Sequence, residues 1–280
     1  MKNRSEKMSA LILCIVMMHA DSSFSQGRTD PIKSDDKPTS AASVAVPESW
    51  FTAKPVADKV WRIDDHGSDN AYLVEGKGKA LLIDTGLGAA DLAGFIKSLT
   101  ALQVIVVNTH GHPDHAGGNF QFGRVYAHPA DFELIKRYTG GDYRAGTVQR
   151  ILRESPGLTA FILKDSSGSF CLLDAGNKLL FTGDNDNTLV WLFLNDCLPL
   201  ETYLKTLQKV QAKAGEFETL LPGHGDPIDK TFIGEQIACA QNILSGVCKG
   251  ESYQSFAGEA LLCTYKRAGI AYNPNNLYVK

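Results

Sequence analysis

Residues 104–119 read VIVVNTHGHPDHAGGN, and no other stretch limits so tightly what this chain can become. Val104, Ile105, Val106 and Val107 have the length and composition of a strand buried on both faces. Directly after it, His110, His112, Asp114 and His115 fall within six positions. Alternate residues of an extended segment project to the same side, so His110 and His112 can reach one ion, while the turn at Pro113 lets Asp114 and His115 face another. A lone histidine would read as a satisfied loop residue, but three imidazoles and a carboxylate at this spacing form a metal-ligand constellation. One strand end can therefore serve two metals.

HxHxDH after an apolar strand resembles the signature of the metallo-β-lactamase-fold hydrolases. Other landmarks of that family follow in order: LLIDTG at 81–86, LLFTGD at 179–184 and LPGHGDP at 221–227. The resemblance covers nearly everything after about residue 47. It implies an α/β fold, the four-layer αβ/βα sandwich, as one domain with helices outside two facing sheets. It implies a metal site of His110, His112, Asp114, His115, Asp184 and His224, with Asp184 bridging two ions, and Zn(2+) as the expected cofactor with iron or manganese as alternatives. Asp84, at the end of an apolar strand, would support the metal loop from behind or cap the following helix. Because the bridging position is Asp and the first motif ends in DH, the chain resembles the glyoxalase II-like and lactonase-like branch more than the best-known zinc β-lactamases.

One departure stands out. Most relatives in this family have a loop near PGHTPGS whose His completes the first metal site. Here the matching stretch, residues 161–170, reads FILKDSSGSF and puts Asp165 at that place. No histidine lies between His128 and His224 to replace it. Asp165 can ligate in place of imidazole, the first site can be weak and leave a single ion, or catalysis can be lost. Charge bears on the choice: two divalent ions balance Asp114, Asp165, Asp184 and a bridging hydroxide, whereas the usual His would leave one net positive charge. The neutral cluster acidifies water less. Lys164 pairing with Asp165 would favour loss of the ligand.

The resemblance implies a metal-activated hydroxide attacking a carbonyl or phosphoryl centre, with Asp114 as the catalytic residue that orients or shuttles the proton. An ester, thioester or lactone is the first substrate class, by analogy, and a β-lactam is an alternative. Two rivals remain: a catalytically silent binder on the same fold, and a mononuclear iron enzyme like the sulfur dioxygenases, using His110, His112 and Asp184.

A length of 280 residues, 44% apolar, with a net charge of −3, describes a globular chain with one large core and a small-molecule substrate. No basic run suits nucleic acid. Residues 1–25 place Lys2, Arg4 and Lys7 before an apolar run at 10–18 and then Ala20, Ser23 and Ser25, the layout of a signal peptide; this predicts an exported, periplasmic or secreted protein without a stable membrane span. Residues 26–47 are a polar, Pro- and Ser-containing flexible linker, and the hydrolase domain spans 48–280. Removing Cys14 leaves five cysteines, an odd number. Cys171 and Cys239 sit in apolar patterns and read as buried thiols, and Cys248 with Cys263 is the pair to test first.

Short apolar runs at 60–63, 71–75 and 80–84 predict a strand meander, with His66 in its first turn as a solvated loop residue that could alternatively touch substrate or metal. Apolar spacing predicts helices at 89–102, 129–138, 148–153, 199–214 and 232–245, and strands at 125–127, 171–174, 179–182, 219–221, 253–256, 261–265 and 268–272. His128 reads as a helix-entry residue and not a ligand.

Overall fold

In the computed structural model, residues 49–139, 158–162 and 169–280 are described. The expected signal peptide at 1–25, the linker at 26–47, the helix at 148–153 and Asp165 lie outside them. Strands β1 (Phe51–Ala57), β2 (Val60–Asp65), β3 (Asp69–Glu75) and β4 (Lys79–Ile83) form an antiparallel meander. Helix α1 (Leu92–Leu99) then carries the chain back to β5 (Gln103–Val107), which pairs parallel with β4, as a strand–helix–strand crossover requires. Asp91 starts α1 by accepting a hydrogen bond from the Gly94 amide at 2.8 Å, so the helix is shorter at its beginning than its apolar spacing suggests.

After β5 come the short helix α2 (Pro113–Ala116), β6 (Val125–Tyr126) and helix α3 (Phe132–Thr139), the last preceded by a 3-10 turn at Pro129–Asp131. The first six strands make one sheet in sequence order. A second sheet, ordered β12-β11-β9-β8-β7, contains β7 (Leu158–Ile162), β8 (Phe170–Asp174), β9 (Leu179–Gly183), β11 (Thr219–Pro222) and β12 (Ile228–Asp229).

The layers follow from which residues these strands bury. Tyr72, Leu81, Ile83 and Val107 of the first sheet pack on Phe170, Leu172, Phe181 and Leu221 of the second. Their outward neighbours Ile63, Leu73 and Leu82 pack with Leu92 and Ile96 of α1. Behind the second sheet, Leu173, Leu180 and Leu220 meet helices α4 (Leu200–Gln211) and α5 (Phe232–Leu244). Both sheets are thus apolar on two faces, the pattern that produces continuous runs such as VIVV instead of alternation. Helix, sheet, sheet, helix is the sandwich expected from the sequence.

A third sheet goes beyond that expectation. β10 (Leu189–Leu192) pairs parallel with β15 (Ala268–Tyr272), which continues through β14 (Gly258–Tyr265) to β13 (Glu251–Ser255). The closing strands therefore build a separate four-stranded sheet around a strand nearly 80 residues earlier, a non-local pairing that local pattern does not reveal. Cys248 and Cys263 are disulfide-bonded, while Cys171 and Cys239 are buried free thiols.

The pairings also decide where polar chemistry can gather. Ile83 is level with Val107, and Gly183 with Pro222, so the segments that leave β4, β5, β9 and β11 emerge together at one edge of the sandwich. These four segments begin with Asp84, Asn108, Asp184 and Gly223.

Candidate metal centre

Four loops converge here because the chain can approach itself closely at two glycines. Gly183, at φ 52°, places the end of β9 against Thr109: a Cβ there would lie 2.5 Å from Thr109 Oγ1. Gly223 sits against the opposite side, where a Cβ would meet His115 Cε1 at 2.5 Å and Asp184 Oδ1 at 2.6 Å. The loop after β5 is fixed by buried amides: Asn108 Nδ2 and Thr85 N both donate to the His115 carbonyl, and Asn119 Nδ2 donates to Asn108 Oδ1.

Two groups of ligand atoms result, each with its atoms within 4.8 Å of one another: His110, His112 and Asp184 in one, and Asp114, His115, Asp184 and His224 in the other. Asp184 belongs to both. Its Oδ2 lies 3.6 Å from His110 Nε2, and its Oδ1 lies 3.1 Å from His115 Nε2 and 3.4 Å from His224 Nε2. Asp114 Oδ2 is 3.3 Å from His224 Nε2 and 3.8 Å from His115 Nε2. His110 Nε2 and His112 Nδ1 are 3.1 Å apart. Asn187 Nδ2 donates to Asp184 Oδ1 at 3.0 Å. His115 is fully buried, whereas the side chains of Asp114, Asp184 and His224 are each about one-third exposed, so the cluster opens to solvent on one side.

The outer partners of the imidazoles decide where their lone pairs point. Asp84 Oδ2 lies 3.1 Å from His115 Nδ1, the Ser68 carbonyl 2.8 Å from His224 Nδ1, and Asp196 Oδ2 3.0 Å from His112 Nε2. Each of these oxygens can only accept, so the outer nitrogen carries the proton. Thr109 Oγ1 donates to Asp84 Oδ2 at 2.8 Å and is therefore left to accept from His110 Nδ1 at 3.1 Å. All four rings present an unprotonated nitrogen to the interior of the cluster when neutral, the arrangement cation ligands need. Asp84 holds this role at φ 64°, a backbone conformation that Asp tolerates better than most residues, while its Oδ1 accepts from the Thr109 amide.

Charge points the same way. Burial, reinforced by His115, holds His110 well below the usual imidazole range. Burial alone would also lower His112, but the Asp196 hydrogen bond and the nearby carboxylates outweigh it and raise it. Burial opposes charge on His115 and His224 too, yet Asp184 and Asp114 raise both well above the ordinary range. Conversely, burial alone would raise Asp114 and Asp184, but the charges of His115 and His224 hold them well below the carboxylate range. The two carboxylates therefore demand positive charge, which a divalent cation supplies in place of ring protons.

The sequence brought six of these residues together; Asp196, Ser68, Thr109 and Asn187 it did not mark. Asp196 lies in the loop after β10, 84 positions from His112, and carries no local signal. Asp165 lies outside the described residues. His66 is exposed at the β2–β3 turn and stacks on Trp50 at 4.4 Å, apart from both ligand groups. His128 caps a turn by accepting from the Ala130 amide.

The family model of the metallo-beta-lactamase superfamily matches residues 64–148. The chain is 29% identical over 282 residues to acyl-coenzyme A thioesterase MBLAC2 of Homo sapiens, and 27% identical over 277 residues to that of Gallus gallus, in each case spanning 78% of this chain and 97% of the relative. Among solved structures, a metallo-beta-lactamase from Erythrobacter litoralis superposes with a TM-score of 0.59 at 17% identity, covering 69% of this chain and 97% of the other. FIM-1 from Pseudomonas aeruginosa, in its mono-zinc form, gives 0.58 at 16%, covering 69% and 96%. These two likenesses show the fold.

The relatives also correct the export reading. Animal acyl-coenzyme A thioesterases, which are not known as exported proteins, align along nearly their whole length, so the expected periplasmic or secreted location does not stand. A short apolar run after three basic residues is a loose compositional pattern and does not outweigh that agreement. Among the described residues no helix is long and apolar enough to cross a membrane. In its fold, in two groups of side chains that could hold divalent cations and in its thioesterase relatives, the chain resembles the metallo-β-lactamase superfamily, and together these support a metal-dependent hydrolase.

Proposed function

We propose that the chain is a dinuclear thioesterase, with zinc the preferred metal. The supporting observation is the division of Asp184 between two donor groups, Oδ2 toward His110 and Oδ1 toward His115 and His224. His110 and His112 with Asp184 would hold one cation, and Asp114, His115 and His224 with Asp184 the other. Nitrogen and carboxylate donors without sulfur suit zinc and leave iron and manganese as competitors. When bound, divalent cations acidify water and polarise an acceptor carbonyl.

The chain's own residues do the remaining work. Asp84, Ser68, Asp196 and Thr109 hold the imidazoles in the tautomers and orientations just described. Asp114 keeps Oδ2 toward the ligands and offers Oδ1 to take a proton from the attacking water and return it to the leaving thiolate. Asp165 lies outside the described residues, and without it His110, His112 and Asp184 would supply three donors to the first cation. A thioester is the substrate class because the relatives are acyl-coenzyme A thioesterases. Its carbonyl is attacked by water, and the carbon–sulfur bond breaks to give a carboxylate and a thiol.

A second reading rests on the same first group: two His and one Asp are also the donors of non-haem iron oxygenases. One experiment separates them. Purified protein stripped with chelator and reloaded with zinc is assayed with acyl-coenzyme A, releasing thiol, and iron-loaded protein is assayed for oxygen uptake with a persulfide. Zinc-restored thiol release supports the thioesterase. Oxygen uptake with no thiol release overturns it.

A further inference from the structure

The residues of the candidate metal centre would place the substrate carbonyl but leave open where the rest of the substrate lies. The strand leaving Asp184 addresses that. β10 follows the turn at Asp184–Asp186, and three residues after Phe193 the chain reaches Asp196, which contacts His112. Both ends of this segment thus lie at the metal residues. Three residues span at most about 11 Å, so the Phe193 backbone lies within that reach of Asp196.

Along it stands a cluster of four aromatic side chains. The Trp191 and Phe193 rings are 5.2 Å apart between centroids, Trp191 and Phe256 5.4 Å, and Tyr253 lies 6.3 Å from both Trp191 and Phe193. Trp191 Nε1 donates to Tyr253 Oη at 3.1 Å, so the polar edges of these rings satisfy each other and their faces remain apolar. Beside them the third sheet bears small residues: Trp191 is level with Ala271, which is fully buried, and Tyr253 with Ala260. The opposite face of that sheet is covered by α5, through Ile270 and Cys263. Among the described residues the aromatic side has no such cover: Phe256 is 51% exposed and Leu189 37%.

We infer that this aromatic shelf seats the aliphatic acyl chain of the thioester whose carbonyl lies at the metal group. The inference rests on the proposed thioesterase reading. It favours the acyl chain over the coenzyme because Glu251, on the edge strand β13 two residues before Tyr253 and so on the same face, is a carboxylate that repels phosphates, while the rings offer only apolar surface. Each methylene laid on such a surface tightens binding by up to about fourfold.

The test compares acetyl-, hexanoyl- and dodecanoyl-coenzyme A hydrolysis by zinc-loaded wild type, Phe256→Ser at the exposed turn, and Trp191→Ala. The expected result is a wild-type kcat/KM that rises at least tenfold from acetyl to dodecanoyl, and a ratio that collapses at least fivefold in both variants, through KM. Equal losses on all three substrates, or no chain-length gradient in wild type, overturn the shelf. So does a dimer that Phe256→Ser dissociates, which would make this face a contact between copies. If wild type cleaves no thioester, the thioesterase reading fails by itself, and quenching of tryptophan fluorescence by a brominated dodecanoate decides the shelf: quenching lost in Trp191→Phe supports it, and equal quenching in both proteins, which retain Trp50 and Trp61, overturns it.

Discussion

Gly223→Ala is the most informative single change, because it adds one methyl group at a place where backbone strain contributes nothing. Gly223 is not among the positive-φ glycines, so alanine can adopt its backbone, and the whole effect comes from contact. The new Cβ would lie 2.5 Å from His115 Cε1 and 2.6 Å from Asp184 Oδ1, and ordinary contact requires both to retreat by close to an ångström. His115 cannot retreat freely, since it is fully buried and tied through Nδ1 to Asp84. Asp184 is less confined but is held by Asn187. The strain should therefore separate Asp184 from His115 and His224 and spread the second ligand group. Overpacking of this kind costs roughly 1–3 kcal/mol of stability, and an ångström of misplacement at a reacting centre costs on the order of a hundredfold in rate. Metal affinity, measured by competition with a chromophoric chelator, should fall at least tenfold, and thioester turnover about a hundredfold, while the circular dichroism of metal-free protein stays native. Gly225→Ala is the control: it is strained at φ 81° but has open space around its Cβ, so it should lose stability and keep metal affinity. A Gly223→Ala protein with wild-type metal affinity would refute the reasoning.

Other substitutions probe the supports. Asp84→Asn presents an amide where Thr109 and His115 both need an acceptor, and should weaken metal binding 10–100-fold; Asp196→Asn, acting on the more exposed His112, should fall at the lower end of that range, both read by chelator competition. Asp131 accepts from the Gly111 amide between His110 and His112, and burial pushes its carboxyl up to about 7. Its folded value exceeds the unfolded one, so its contribution to stability is complete below the ordinary carboxylate range and is lost as pH rises toward 7. Asp131→Asn should therefore flatten the fall in melting temperature between pH 5 and 8 and leave the variant relatively more stable at the alkaline end; an unchanged slope would remove Asp131 as its source. The Cys248–Cys263 bridge closes a separation of 15 residues, worth about 3 kcal/mol in the chain-entropy view, so Cys248→Ser should lower the denaturation midpoint correspondingly. No change would mean that the closing strands hold without it.

Much of this was legible in the chain because the ligands follow apolar strands. A run such as VIVV or LLF announces a strand buried on both faces, and the polar residue ending it has no core to join, which is why Asp84, His110, His112, Asp184 and His224 could be read before their meeting point was known. Cys248 with Cys263 was likewise chosen correctly among five cysteines. What escaped is non-local. Asp196 and Ser68 hold their imidazoles from loops with no periodicity, the Ser68 contact being made by a backbone carbonyl that any residue would supply. β10 pairs with strands far along the chain, so the third sheet and its aromatic shelf leave no trace in a window of neighbouring residues. The export reading failed for a different reason: composition near a terminus carries little information beside relatives aligned over nearly their full length.

Metal content of the purified protein, set against that of Asp184→Asn, tests the central claim most directly. If Asp184 joins two adjacent cation sites, elemental analysis after exhaustive dialysis should find close to two divalent ions per wild-type chain, and the variant should lose affinity for both together. A wild type that retains at most one ion under zinc saturation, or a variant that still holds two, would contradict it.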